Sequence, residues 1–342
     1  MAGVGAGILS RLDASLEFTQ QLLDTQPTFA AANPLVKDRF AKLKEQNRNY
    51  LAHEYMTHDW HPMYFADLAR WLEPAKLTFA CSANLLDHVD ALNILPAQQK
   101  LLAGIPDTQF RQTVRDFVVN QQFRKDYWVK GARRLSPLRQ AELLRGHRVV
   151  LVTPRADVPL KVQAAAGQGT LSEGVYAPIL DVLSDHGIRT LGEMETVVAG
   201  KGISFAQLVQ AVVVLAGMGH VMTAQDEPAI GAARKTTRPV NQALMQLARS
   251  PNDISHLASP VTGGGIAVAR FAQLFALALQ NGRKQPADWA AFVWQLLAAQ
   301  GQSILKEGKA LEGADANLAE LNQQARAFAD KQLPLLRALQ VI

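Results

Sequence analysis

Between Arg148 and Thr223 the sequence becomes an ordered succession of short segments, and this succession constrains the fold more than any other feature. Arg148-Val-Val-Leu-Val-Thr153 is rich in β-branched residues and predicts a strand. Gly167–Gly169 predicts a turn. Val175–His186 predicts a helix ended by Gly187 as a left-handed cap. Leu191–Ala199 predicts a second helix, ended at Gly200. Ser204–Leu215 predicts a third, with Ser204 accepting from the first-turn amides. His220–Thr223 predicts a closing strand.

A strand, three helices and a strand form the order of a winged-helix module. In such a module the third helix reads the DNA groove. Here that helix contains no Lys or Arg; Gln207 and Gln210 are its only long polar residues. A phosphate-binding surface needs cations there. The module is therefore expected to be structural or protein-contacting, without specific DNA binding. Val209–Met218 is the most apolar stretch of the chain and too short to span a bilayer. No run of 18 apolar residues occurs, so neither a transmembrane helix nor a membrane partner is expected.

The flanks read as helical. Residues 10–26 start at the cap residue Ser10 and place Leu12, Leu16 and Leu23 near one face. Residues 35–46 follow the break at Asn33-Pro34. Met63–Leu72, Pro96–Ala103 and Thr108–Gln122 also have helical spacing, whereas Leu77–Ala80 and Phe123–Val129 read as extended. Asp226–Pro239 is polar, contains two prolines and reads as a linker. Beyond it, helices are expected over Val240–Arg249, Val268–Gln280, Ala287–Gly301 and Asn317–Leu333. The fold class is mainly α with minor β (α+β). The expected regions are 1–45, N-terminal helices; 46–145, a helical domain; 146–232, the winged-helix-like module; and 233–342, a helical C-terminal region. Hydrophobic residues at 48% and a net charge of +5 exclude a disordered chain. The single cysteine, Cys81, excludes a disulfide framework and a cysteine-based zinc cluster. With an N-terminus lacking a basic segment before an apolar core, it points to the cytoplasm.

Residues 109–148 carry ten Lys/Arg against three acids, a local charge of +7 that leaves −2 for the rest of the chain. Such a run is a nucleic-acid surface, a solvated helix face or a contact for an acidic neighbour. The densest polar and aromatic cluster is His53-Glu54-Tyr55-Met56-Thr57-His58-Asp59-Trp60-His61-Pro62-Met63-Tyr64. A zinc protease needs two imidazoles four residues apart on a helix. His53 and His58 are five apart, which separates them by about 140°; no catalytic metal is expected. The segment reads either as a loop packed over a core or as a substrate-facing loop. Cys81, with His88 seven residues on, lies in apolar surroundings and reads as a buried, inert thiol. Val261-Thr-Gly-Gly-Gly-Ile266 precedes a helix and reads as a flexible turn, with anion binding as the alternative. Gly3-Val-Gly5-Ala-Gly7 has no preceding strand and is not a nucleotide loop.

Longer stretches resemble a known family. Asn47-Arg-Asn-Tyr-Leu-Ala-His-Glu-Tyr55, Trp60-His-Pro-Met-Tyr-Phe-Ala-Asp67, Ala83-Asn-Leu-Leu-Asp-His88 and Arg115-Asp-Phe-Val-Val-Asn-Gln-Gln-Phe-Arg-Lys-Asp126 resemble the methyltransferase regulatory domain family. The resemblance continues through Gly174-Val-Tyr176, Ala258-Ser-Pro-Val-Thr-Gly-Gly-Gly265, Trp289–Trp294 and Glu307-Gly-Lys309. In that family the regulatory region follows a class I S-adenosylmethionine-dependent methyltransferase domain, and relatives include protein-lysine methyltransferases. The strand and Gly-rich acidic motif of that Rossmann domain are not found in this sequence. The resemblance thus implies a regulatory or substrate-presenting region that binds no cofactor alone, with S-adenosylmethionine expected for the complete enzyme. The implied partners are a methyltransferase catalytic domain in cis or in trans, a protein substrate and a homo-oligomer. In such an enzyme the 53–64 segment is expected to line the mouth of the acceptor site through His53, Glu54, Tyr55, Asp59, Trp60 and Tyr64, because its aromatic faces suit an acceptor side chain and its two carboxylates a lysine ammonium. Two other readings remain: a protein- or nucleic-acid-binding module unrelated to methyl transfer, and a metal hydrolase using His53, Glu54 and His58.

Overall fold

The computed structural model describes residues 7–342; of the glycine run Gly3–Gly7, only Gly7 is among the described residues. The chain divides into two units, residues 1–68 and 69–342.

The first unit is helical: α1 (Ile8–Asp24), α2 (Thr28–Ala32), α3 (Leu35–Lys44) and α4 (Arg48–Tyr55). Its core is small. Leu12 and Leu16 of α1 meet Leu51 of α4, with Phe40 and Leu43 of α3 packed beside them. Arg48 Nε donates to Asp13 Oδ1 at 2.8 Å across α1 and α4. An open cleft of about 440 Å³ lies between α1 and α3.

Helix α5 (Phe65–Leu72) leads into the second unit. There β1 (Leu77–Ser82), α6 (Asp90–Asn93), α7 (Pro96–Ala103), α8 (Thr108–Val119) and β2 (Asp126–Lys130) follow. The strands pair antiparallel from Leu77↔Lys130 to Ser82↔Asp126, with an irregularity between Phe79 and Cys81. Asp107 caps α8 by accepting from Phe110 N, and left-handed Asn120 ends it.

Next come α9 (Pro137–Arg145), β3 (Arg148–Leu151), the hairpin β4 (Lys161–Ala164)–β5 (Gly167–Thr170), α10 (Glu173–Val182), β6 (Arg189–Thr190), α11 (Leu191–Ala199), α12 (Phe205–Gly217) and β7 (Val221–Thr223). Helices α11 and α12 begin with reciprocal capping boxes, Thr190 with Glu193 and Ser204 with Gln207. Two expectations need correction. Gly167–Gly169 is strand β5 and not a turn. The left-handed residue after α10 is His186, at φ 56°, and not Gly187. Its imidazole Nδ1 lies 3.0 Å from the Leu151 carbonyl, and this buried tie fixes the conformation.

Strands β6, β3 and β7 form a three-stranded antiparallel sheet in that order. The period-two alternation of a strand decides the packing of its centre. Val149 and Leu151 of β3 point into a core with α10–α12, whereas Val150 joins a second core built by the C-terminal helices.

That second core holds α13 (Glu227–Leu247), the hairpin β8 (His256–Ser259)–β9 (Gly264–Ala267), α14 (Arg270–Gln280), α15 (Pro286–Ala299), the small hairpin β10 (Leu305–Lys306)–β11 (Lys309–Ala310), α16 (Ala314–Ala327) and α17 (Leu333–Ala338). A π-helical stretch, Phe328–Gln332, joins α16 to α17. The expected linker 226–239 is the first half of α13. Asp226 caps that helix by accepting from Ala229 N, and Pro228 sits in its first turn, where no amide is needed. Pro239 lies inside the helix, which is held from one side by buried Ile230, Asn241 and Met245. Asn241 donates to Ala258 O and Val341 O, both at 2.8 Å, and accepts from Ala258 N at 2.7 Å.

The three glycines of Val261–Ile266 also differ from expectation, because they do not abut a helix. Gly263, at φ +69°, makes the turn of the β8–β9 hairpin, and its amide donates to Ser259 O at 3.0 Å. A Cβ there would also meet Gln225 Nε2 at 2.8 Å, so the position suits only glycine. All strand pairings among the described residues are antiparallel.

Candidate functional site

The 53–64 segment belongs to the first unit. Asn47 caps α4 by accepting from Asn49 N and Tyr50 N at 2.8 and 3.2 Å. Leu51 and Ala52 turn inward, so His53, Glu54 and Tyr55 emerge on the exposed side at the end of the helix. The chain then runs without regular structure to α5. Trp60 is 56% exposed and Tyr64 63%. Tyr55 and Trp60 come together with ring centroids 6.0 Å apart and planes inclined by 47°. His58 Nδ1 lies 3.2 Å from Asp59 Oδ1, both side chains almost fully in solvent. His53 and Glu54 make no side-chain hydrogen bond among the described residues. Of the six proposed residues, the structure thus pairs Tyr55 with Trp60. His53, Glu54, Asp59 and Tyr64 are exposed on the same stretch of chain. No group of three or more metal-ligating side chains occurs among the described residues.

The second polar constellation was not read as a unit from the sequence. Asp87 accepts from Ser82 Oγ at 2.7 Å and from Asn84 Nδ2 at 3.2 Å, and Arg115 lies 3.7 Å from its carboxylate. Arg124 donates to Asp116 at 2.6 Å, to Asp126 at 2.7 Å and to Gln112 at 3.1 Å, and its guanidinium stands 5.4 Å from the Phe79 ring centre. Burial pushes the Asp116 carboxyl above its ordinary range, and the Arg124 charge opposes that shift. These residues clamp α8 and β1–β2 together. Cys81 is half-buried rather than buried, and His88 Nε2 lies 2.8 Å from Ser82 O rather than serving the thiol.

The clamp explains much of the basic segment. Arg115, Arg124, Arg139, Arg145 and Arg148 are held in ion pairs with Asp87, Asp116 and Asp126, Glu142, Glu195 and Glu227. Arg145 also lies 4.4 Å from the Phe205 ring centre. Its hydrogen bonds hold the Glu195 carboxyl below the usual carboxylate range. Lys125, Lys130, Arg133 and Arg134 are exposed.

Helix α12 shows its outer face to a groove of about 620 Å³, walled by Val89, Leu144, Phe205, Val209 and Val213, with His88, Asp90 and Gln140 at the rim. The run of small and β-branched residues in α12 was a visible signal for a helix that is apolar on two sides.

Residues 47–130 match the model of a family described as the predicted methyltransferase regulatory domain. The uncharacterized protein sll1526 of Synechocystis is 42% identical over 332 residues, which are 97% of this chain and 65% of that protein. The chain therefore spans just under two thirds of this curated relative. The solved structures of PKMT2 from Rickettsia typhi share the fold. The free form aligns with TM-score 0.55 at 13% identity over 96% of this chain and 68% of that one. The complex with AdoHcy aligns with TM-score 0.56 at 12% identity, over 99% and 69%. The fold is mainly helical α+β, and the regulatory-domain match lies in the first half of the chain. No helix among the described residues is long and apolar enough to cross a membrane.

Proposed function

We propose that this chain is the regulatory and substrate-presenting part of an S-adenosylmethionine-dependent methyltransferase acting on protein lysine. It works with a Rossmann catalytic domain in cis or in trans. The match of residues 47–130 to the methyltransferase regulatory domain carries the reading. The shared fold with PKMT2, which was solved with AdoHcy, supports the cofactor and the acceptor class. The antiparallel two- and three-stranded sheets support a cofactor site outside these residues. In this reading the winged-helix-like module contacts protein, as supported by the apolar outer face of α12.

The 53–64 segment lines the mouth of the acceptor site. The exposed faces of Tyr55, Trp60 and Tyr64 suit a lysine stem and its ammonium. Glu54 and Asp59 orient that ammonium, which loses a proton before it accepts a methyl group. Glu54→Gln and Trp60→Phe in the reconstituted enzyme test this assignment. Methyl transfer to a lysine substrate is expected to fall about tenfold or more, with the melting temperature unchanged. Full activity in both variants would remove the segment from the site. Calorimetry on this chain alone is expected to detect no S-adenosylmethionine binding; a micromolar constant, about −8 kcal/mol, would place the cofactor site within it.

A further inference from the structure

The first unit exposes apolar surface that its own residues do not use. On α1, Leu12, Leu16 and Leu23 face the small core. At 100° per residue, Ile8, Phe18 and Leu22 fall on an adjoining arc about 80° wide. That arc is open, with Phe18 59% and Leu22 48% exposed. Phe29 on α2 and Leu35 at the start of α3 are more exposed still, at 64% and 79%. These side chains present on the order of several hundred Å² of apolar surface, the range in which a patch marks an interaction site. A helix with two apolar faces, only one of them buried, is built to pack on both.

We propose that this outward face of α1, together with the exposed Phe29 and Leu35 of the same unit, is the docking surface for a folded domain supplied by the remainder of the enzyme. The proposal rests on the functional reading above and adds the surface through which it acts. The choice of occupant rests on length. The Synechocystis relative shares 332 residues with this chain, and these are 65% of it. The remaining third is about 180 residues, the size of an ordinary domain. A domain of that size has ample surface to cover α1, and standard interfaces take about 800 Å² from each partner.

The part of the Synechocystis relative outside the shared stretch, produced as a separate polypeptide, is the probe. Sedimentation velocity of the mixture with this full chain is expected to show a one-to-one complex. Hydroxyl-radical footprinting is expected to show Phe18, Leu22 and Phe29 protected only in the mixture. The double variant Phe18→Glu, Leu22→Glu is expected to weaken the complex about tenfold or more, with the melting curve unchanged. Leu305→Glu, at an exposed site of the second unit, is expected to leave the complex intact. Failure to associate at about 100 µM, association without protection of these side chains, or indifference to the double variant would overturn the proposal. So would protection of Phe18 in the chain alone, whether from a second copy or from within the monomer. S-adenosylmethionine binding by the separate polypeptide is measured independently. A polypeptide that docks but binds no cofactor refutes the methyltransferase reading and leaves the docking surface standing; one that binds cofactor but does not dock does the reverse.

Discussion

The stretch before Arg145 and the stretch after it solve opposite problems. After Arg145, exposed large apolar side chains among the described residues are limited to Val197, Val240, Leu247 and Leu305; all the others lie at positions 8 to 144. The buried cores show the reverse. Every fully buried member of the two large clusters except Val89 lies at Val149 or beyond. A segment that keeps its apolar residues outside gains little hydrophobic stabilisation from its own folding. The later stretch is a finished body around the β6-β3-β7 sheet, and the earlier one leaves most of its large apolar side chains in solvent. The regulatory-domain match, residues 47–130, lies wholly within that earlier stretch.

The largest way to sharpen this contrast is a pair of core truncations. Leu151→Ala, at a side chain with no solvent exposure between the sheet and α10–α12, is expected to cost about 3–5 kcal/mol in denaturant unfolding. Leu12→Ala, in a core of three buried residues, is expected to cost no more than about 2 kcal/mol, leaving the main transition in place. Equal costs would erase the distinction.

Asn241→Ala tests the polar tie of the finished region. It leaves Ala258 N, Ala258 O and Val341 O without their side-chain partner. A loss of about 2–3 kcal/mol is expected in the same unfolding assay.

The smallest effect is a pH dependence. His220 lies beside Thr153 Oγ1 at 3.0 Å, and burial lowers its pKa below the usual imidazole value. The unfolded chain therefore binds this proton more readily than the folded one. The stability linked to this group is fully present above about pH 6.5, the unperturbed imidazole pKa, and is lost as the pH falls below it. His220→Gln is expected to flatten the stability profile between about pH 5 and 7; an unchanged slope would assign it to other groups.

Capping made part of the later region legible in sequence. Thr190, Glu193, Ser204 and Gln207 announce α11 and α12 because capping is a local rule. The β10–β11 turn, with Glu307 and Gly308 at φ 52° and 78°, was not read from the sequence. Helix α13 was hidden because its polar face and Pro239 imitate a linker, while the partners of Asn241 lie 17 and 100 residues away. Gly263 was legible as a turn residue, but Gly264 and Gly265 are strand, because β9 pairs with His256–Ser259. In the 53–64 segment the composition pointed to the aromatic cluster. Its exposure was beyond sequence, because Trp and Tyr serve equally in a core and at a wet interface. The Arg124 clamp joins residues from α8 and β2, and only the fold brings them together.

Native-state hydrogen exchange on the chain alone tests the central contrast most directly. Amides of β3, α12 and α14 are expected to exchange only through global unfolding, while those of α1 to α4 exchange through openings several kcal/mol less costly. Uniform protection across α1, α4, α12 and α14 would contradict it, since the earlier stretch would then be as complete as the later one.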